Sequence, residues 1–64
     1  MITVRLFYTN GEITLDPADI VKYKAGKNVC SVYMESGEVF EVDRVHFLML
    51  YKKANNEINQ EGKQ

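Results

Sequence analysis

The sequence predicts a small α+β domain, a five-stranded, mainly antiparallel meander with a C-terminal helix packed on the sheet. Short apolar segments alternate with turn residues over the first two thirds of the chain. The last apolar stretch has helical spacing, and 64 residues suffice for one domain only. We place the compact domain at residues 1–56. We expect residues 57–64, which are almost entirely polar, to form a frayed or disordered tail.

The first two strands are predicted to form a hairpin. Alternation over residues 1–8 is typical of a strand with one buried face, which carries Ile2, Val4, Leu6 and Tyr8. Asn10 and Gly11 follow, and both tolerate the positive φ of a tight hairpin turn. Ile13 and Leu15 then restart the apolar pattern on the returning strand.

A short turn should separate this hairpin from the remaining strands. The Asp16 side chain can accept from backbone donors, and Pro17 suits the first position of a helical turn. This corner is predicted to redirect the chain toward a second sheet segment. Three more strands are predicted, at residues 20–24, 29–34 and 38–42.

The C-terminal helix is more apolar than one amphipathic helix needs to be. Asp43 is placed to cap it, and its apolar positions continue to about Ala54. One predicted stripe consists of Phe47, Leu50, Tyr51, Ala54 and Ile58. The second consists of Val45, Leu48 and Met49. Because one small sheet covers only one stripe well, the surplus predicts a partner.

Composition limits the classes of partner and the cellular setting. Eight Lys and Arg stand against nine Asp and Glu, so no net field attracts nucleic acid or an acidic membrane. A domain of this size buries only about 60 % of its unfolded surface, which favours self-association. The single cysteine, Cys30, excludes an internal disulfide framework. With no signal segment or membrane span in the sequence, we expect a cytoplasmic protein.

These observations predict a small non-enzymatic binding or regulatory module that acts stoichiometrically through its C-terminal helix or a sheet edge. The predicted protein-binding residues are Phe47, Leu48, Met49, Leu50 and Tyr51. Some of them could equally form the monomer's own core. A homodimer is the favoured assembly, and docking onto a different protein stays open. A small ligand bound between subunits also stays open.

Two other functions remain as alternatives. A basic and aromatic sheet face could bind nucleic acid, with Arg5, Phe7, Lys22, Lys24 and Lys27 as its residues. The plainer interpretation is a solvated outer face, since glutamates balance the lysines. A small mobile-element or phage product that inhibits a host protein is the other alternative, because compact chains without a reaction motif suit stoichiometric binding.

We predict no catalytic residues, no cofactor and no metal site. Cys30 and His46 would have to meet across the fold to form a nucleophile and base. A lone cysteine in an apolar strand is usually a packing residue. Asp16 and Asp19 could offer oxygens to a cation, but capping and turn formation explain them more simply. The glycines sit alone in separate turns, so no phosphate-binding motif is formed.

The pattern resembles the FlbD-like family of small flagellar and swarming-motility proteins. The resemblance rests on residues 1–6, Asn10-Gly11-Glu12, Leu15-Asp16-Pro17, Ile20, Ser36-Gly37 and Val42, roughly the first two thirds of the chain. It implies a bacterial cytoplasmic accessory protein that acts through protein contacts and has no catalytic motif. The strands between Ile20 and Val42 also look somewhat like the sheet of LytTR-type DNA-binding domains, which would imply DNA binding.

Overall fold

Five strands in two antiparallel sheets and one C-terminal helix packed on them make up the fold, which confirms the predicted α+β class. This computed structural model describes the backbone of residues 1–63 and the side chains of residues 1–55. The strands are β1 (Ile2–Arg5), β2 (Glu12–Leu15), β3 (Ile20–Ala25), β4 (Val29–Met34) and β5 (Val39–Asp43), and the helix is α1 (Arg44–Lys63).

The β1–β2 hairpin is closed by a longer loop than the sequence predicts. Arg5 pairs with Glu12, so residues 6–11 form the loop, and the Leu6 N–H donates to the Gly11 carbonyl at 3.0 Å. The predicted tight turn with positive φ at Asn10-Gly11 is wrong, because Gly37 alone among the described residues has a positive φ, 97°. The predicted inward position of Tyr8 is also wrong, since its side chain is 70 % exposed.

The loop between β1 and β2 is long because its first residues bond to β5. Leu6 forms an isolated antiparallel bridge with Val42, and the Phe7 N–H donates to the Glu41 carbonyl at 3.0 Å. After the bond from Leu6 to Gly11, the chain therefore leaves β2 and runs beside β5. We call this junction, formed by Leu6, Phe7, Glu41 and Val42, the seam between the two sheets. The five predicted strands are thus divided between a β1–β2 sheet and a β3–β4–β5 sheet that meet at the seam.

The corner between the two sheets forms as the sequence predicts. Asp16 Oδ1 accepts from the Ala18 N–H at 3.0 Å, and a single turn of 3-10 helix follows at Pro17–Asp19. The Asp19 carbonyl then accepts from the Glu35 N–H at 2.8 Å, which ties this corner to the turn after β4. The corner redirects the chain from β2 into β3 without pairing the two strands.

The core lies where α1 covers both sheets. Asp43 Oδ1 accepts from the His46 N–H at 3.0 Å, so the predicted helix cap is confirmed. The buried apolar side chains are Ile2, Val4, Leu15, Cys30, Val32, Val42 and Phe47. The backbone of α1 continues past Ala54 to Lys63. The predicted polar tail at residues 57–64 lies outside the residues whose side chains the structure describes.

Candidate interaction surfaces

The two predicted stripes of the helix do not divide into a covered and an exposed one, because Leu48 of the second stripe packs against the core together with the first stripe. Phe47 is fully buried in the core, so this predicted protein-binding residue is not on the surface of the folded chain. Leu48, Leu50 and Tyr51 are half-buried and pack against the core. Met49 is the exception among the five predicted residues, because its side chain is 59 % exposed.

Val45 joins Met49 on the exposed side of α1. It lies one turn earlier in the helix and is 66 % exposed. The sequence placed Val45 in the second stripe but not among the predicted contact residues. We call the surface formed by Val45 and Met49 the outer face of α1. It is the apolar surface that the helix does not use to cover the sheets.

Aromatic rings connect the covered stripe of α1 to β3. The Tyr23 ring lies edge-on to Phe47 and Tyr51, with centroid distances of 5.4 Å in both pairs. Phe47 and Tyr51 stack at 5.2 Å. Such contacts stabilise beyond the area they bury. Tyr23 and Tyr51 thus serve packing of the helix, with Tyr23 at the rim of the core.

Within the described chain the outer edges of β2 and β3 have no partner strand, whereas the outer edges of β1 and β5 meet only at the seam. The register of β3 shifts between Ile20 and Lys22, and Val21, the residue between them, is 64 % exposed. Irregular pairing and lysines on an edge strand discourage further strand addition. The β3 edge is therefore less suited to a partner strand than a straight, uncharged edge would be.

The residues of the predicted nucleic-acid face are exposed, but they do not form one patch. Lys22 lies over the Tyr33 ring at 4.9 Å, and Lys24 pairs with Ser31 on β4. Ser31 in turn pairs with Glu41 on β5, and Phe7 bonds the Glu41 backbone. β4 and β5 therefore separate Phe7 from the lysines of β3, and Glu41 lies between them. Arg5 is on β1, and Lys27 is in the exposed β3–β4 turn.

Cys30 and His46 have structural surroundings. The Cys30 thiol is fully buried, and burial raises its pKa although the nearby Arg44 guanidinium acts in the opposite direction. His46 Nδ1 accepts from the Arg5 N–H at 3.2 Å, which joins the start of α1 to β1. A protonated, enclosed thiol is a poor nucleophile. The pair therefore serves packing and helix attachment.

We expect the Cys30 thiol to resist alkylation by iodoacetamide in the folded protein. Labelling should be about a hundredfold slower or more than in denaturant, because the thiol must first be exposed by opening of the fold. Burial also raises the pKa of the Cys30 thiol in the folded state relative to the unfolded state. The free energy of unfolding should therefore be constant below the ordinary thiol pKa and should fall as pH rises above it. Mass spectrometry of timed samples measures the labelling, and rapid native labelling would contradict the buried position.

An open groove lies between the end of the β1–β2 sheet and the β4–β5 turn. Its volume is about 540 Å³. We call its buried and half-buried apolar lining residues, Ile13, Leu15, Met34 and Phe40, the floor; the exposed Met1 also lines it. We call its acidic lining residues, Asp16, Asp19, Glu35 and Glu38, the rim. We call this feature the acidic groove. No sequence pattern indicates this groove, because the juxtaposition of the two turns is a tertiary feature.

Within the part of the chain that the structure describes, no group of three or more His, Cys, Asp or Glu side chains could hold a metal ion. In the same part, no helix is both long and apolar enough to cross a membrane. Comparisons with protein-family models, curated proteins and solved structures gave no match.

Proposed function

We propose that this chain is a small non-enzymatic protein-binding module that acts stoichiometrically through the outer face of α1. One observation carries the proposal. Val45 and Met49 remain exposed on a helix that already supplies Phe47 to the core. A helix that only covered a sheet would carry polar side chains at these positions. Two apolar residues one turn apart instead provide a contact area for a partner.

A second copy of the chain is the partner we favour. A domain of 64 residues buries only about 60 % of its unfolded surface, less than larger domains do, and association through an apolar face adds to that fraction. Pairing of two identical helix faces about a twofold axis closes the assembly at a dimer. Docking of the same face onto a different protein is the other form of the proposal. A regulatory role, a bacterial or phage origin and the FlbD-like relationship stay predictions.

The surroundings of the reactive residue types support the non-enzymatic part of the proposal. The Cys30 thiol is enclosed in the core and His46 is engaged by the β1 backbone. In the acidic groove, the side chains of Asp19, Glu35 and Glu38 are exposed to water. Catalytic carboxylates are usually sheltered so that their proton affinity is tuned, which this rim does not provide.

We expect Met49→Lys to weaken self-association. The substitution places a charge in the proposed interface, so the dimer dissociation constant should rise about tenfold or more. Sedimentation velocity over a range of protein concentrations measures this constant. Val21→Lys is the matched control, because Val21 has nearly the same exposure, 64 % against 59 %, but lies on the β3 edge. Both positions are exposed, so both variants should fold.

Each outcome of this experiment decides one part of the proposal. A loss of dimer with Val21→Lys but not with Met49→Lys would move the interface to the sheet edge. A wild-type chain that is monomeric at all concentrations would rule out the second copy. A pull-down with wild-type and Met49→Lys chains, with and without nuclease, would then test for a different protein. Recovery of nucleic acid, lost in a Lys22→Gln/Lys24→Gln variant, would favour the nucleic-acid alternative.

A further inference from the structure

The acidic groove has a charge that differs from that of the whole chain. Four of the nine acidic residues meet at its rim, and no Lys, Arg or His side chain lines it among the described residues. The formal charge of the whole chain is only −1. The amino group of Met1 adds one cationic group to the lining, which leaves an excess of carboxylates. A cleft lined by an excess of one sign of charge concentrates ligands of the opposite sign. The rim therefore attracts cations and repels phosphate groups.

A ligand of the groove must match its apolar floor as well as its negative charge. Met34 and Phe40 come from the two strands that flank the β4–β5 turn, and Ile13 and Leu15 come from β2. The described side chains of α1 contribute nothing to the lining. Apolar surface of this kind is stabilised when an apolar side chain removes it from water. A ligand that matches both features carries an apolar group between cationic groups.

The arrangement of the carboxylates distinguishes between kinds of cation. They do not converge into a group that could hold a metal ion. Asp16 and Asp19 belong to the corner after β2, whereas Glu35 and Glu38 belong to the β4–β5 turn. Carboxylates contributed by two different turns suit more than one cationic group on an extended ligand. A peptide segment that carries Lys or Arg together with an apolar residue supplies both features.

Backbone hydrogen bonds hold the two sides of the rim in place. The Asp19 carbonyl accepts from the Glu35 N–H at 2.8 Å and so connects the corner to the turn. Gly37, with φ of 97°, allows the turn to close with a bond of 2.9 Å from the Gly37 N–H to the Met34 carbonyl. A rim fixed in this way loses little conformational entropy on binding.

We propose that the acidic groove binds a basic linear peptide segment of another protein, with one apolar side chain on the floor and flanking Lys or Arg side chains at the rim. This inference goes beyond the proposed function, because it concerns a second surface and states the chemistry of its partner. The two surfaces are on different elements, so each can succeed or fail alone.

Selection from a random peptide library displayed on phage tests the inference, followed by titration of the selected peptide. We expect the selected peptides to combine Lys or Arg with an aliphatic or aromatic residue. The double variant Asp19→Asn/Glu35→Gln should weaken the selected peptide about tenfold, since it removes two rim charges. Glu12→Gln/Glu41→Gln removes two exposed charges outside the groove and is the matched control. It should change affinity by less than about twofold.

The three methionines of the chain locate the bound peptide directly. Met1 and Met34 line the acidic groove, and Met49 is on the outer face of α1. With carbon-13 in the methionine methyl groups, a titration with the selected peptide should shift the Met34 signal and leave Met49 unchanged. A shift at Met49 alone would place the peptide on the helix and overturn the groove as its site.

Other results would also overturn the inference. One is a set of selected peptides without an excess of Lys or Arg, and another is failure to select any peptide. A third is an equal loss of peptide affinity in the rim variant and the control variant. Concentration-dependent shifts of both Met34 and Met49 without peptide would show that a second copy occupies the groove. The proposed function fails separately, when Met49→Lys has no effect on association.

Discussion

Phe47→Ala should strongly destabilise the fold. Phe47 is fully buried, and replacing a buried phenylalanine by alanine costs about 3–5 kcal/mol of unfolding free energy. The change also removes the ring contacts with Tyr23 and Tyr51. At typical values per residue, a domain of 64 residues has a total stability of roughly 3–10 kcal/mol. The expected loss is therefore a large part of the total free energy of unfolding. Urea denaturation followed by far-ultraviolet circular dichroism measures the change.

Met49→Ala is the control for the Phe47 substitution. It truncates another large apolar side chain of α1, but one that is exposed, so the change should be within about 0.5 kcal/mol. Losses of similar size in the two variants would contradict the orientation of α1. A loss below about 1 kcal/mol for Phe47→Ala would show that the helix does not close the core. Either result would also remove the basis for an exposed outer face.

Local patterns in the sequence were sufficient to predict most of the elements. The apolar segment Val29–Met34, bounded by turn residues, predicted β4 with its observed bounds. Asp16 and Asp43 cap the turn and the helix as their side-chain chemistry indicated. These features depend on residues a few positions apart, and short-range chemistry decides them.

The β1–β2 loop shows where local patterns stop being sufficient. The Asn10-Gly11 pair favours a tight turn, yet the chain leaves β1 after Arg5 because Leu6 and Phe7 find partners on β5. Those partners are more than thirty positions away, at Glu41 and Val42. A pattern read along the chain carries no information about such pairing. The long-range bonds of the seam therefore outweigh the turn preference of Asn10-Gly11.

The candidate binding surfaces also combine features that local patterns predict with features that only the tertiary structure determines. Helical spacing separated the Phe47 stripe from the stripe of Val45, Leu48 and Met49. It could not decide that Leu48 packs against the core while the other two residues of its stripe stay exposed. The acidic groove had no signal in the sequence beyond acidic residues in turns. It exists because the bond from the Glu35 N–H to the Asp19 carbonyl brings two distant turns together. Surfaces that depend on tertiary contacts of this kind require the structure.

Leu15→Ala tests whether the two sheets that meet at the seam unfold as one unit. Leu15 is buried at the end of β2, and leucine-to-alanine changes in a core cost about 2–5 kcal/mol. Because the core side chains of both sheets pack together under α1, we expect the whole domain to lose this stability. The helix signal in circular dichroism and the Met34 methyl signal should therefore disappear at the same, lower urea concentration.

Glu12→Ala on the same strand is the control, since its exposed side chain should change stability by about 0.5 kcal/mol or less. An unchanged helix transition in Leu15→Ala, with an earlier change in the methyl signal of Met1, which directly precedes β1, would show that the hairpin folds separately. In that case the acidic groove would open whenever the hairpin melts, because Ile13 and Leu15 form part of its floor. A single transition instead ties the shape of the groove to the core that Phe47 closes.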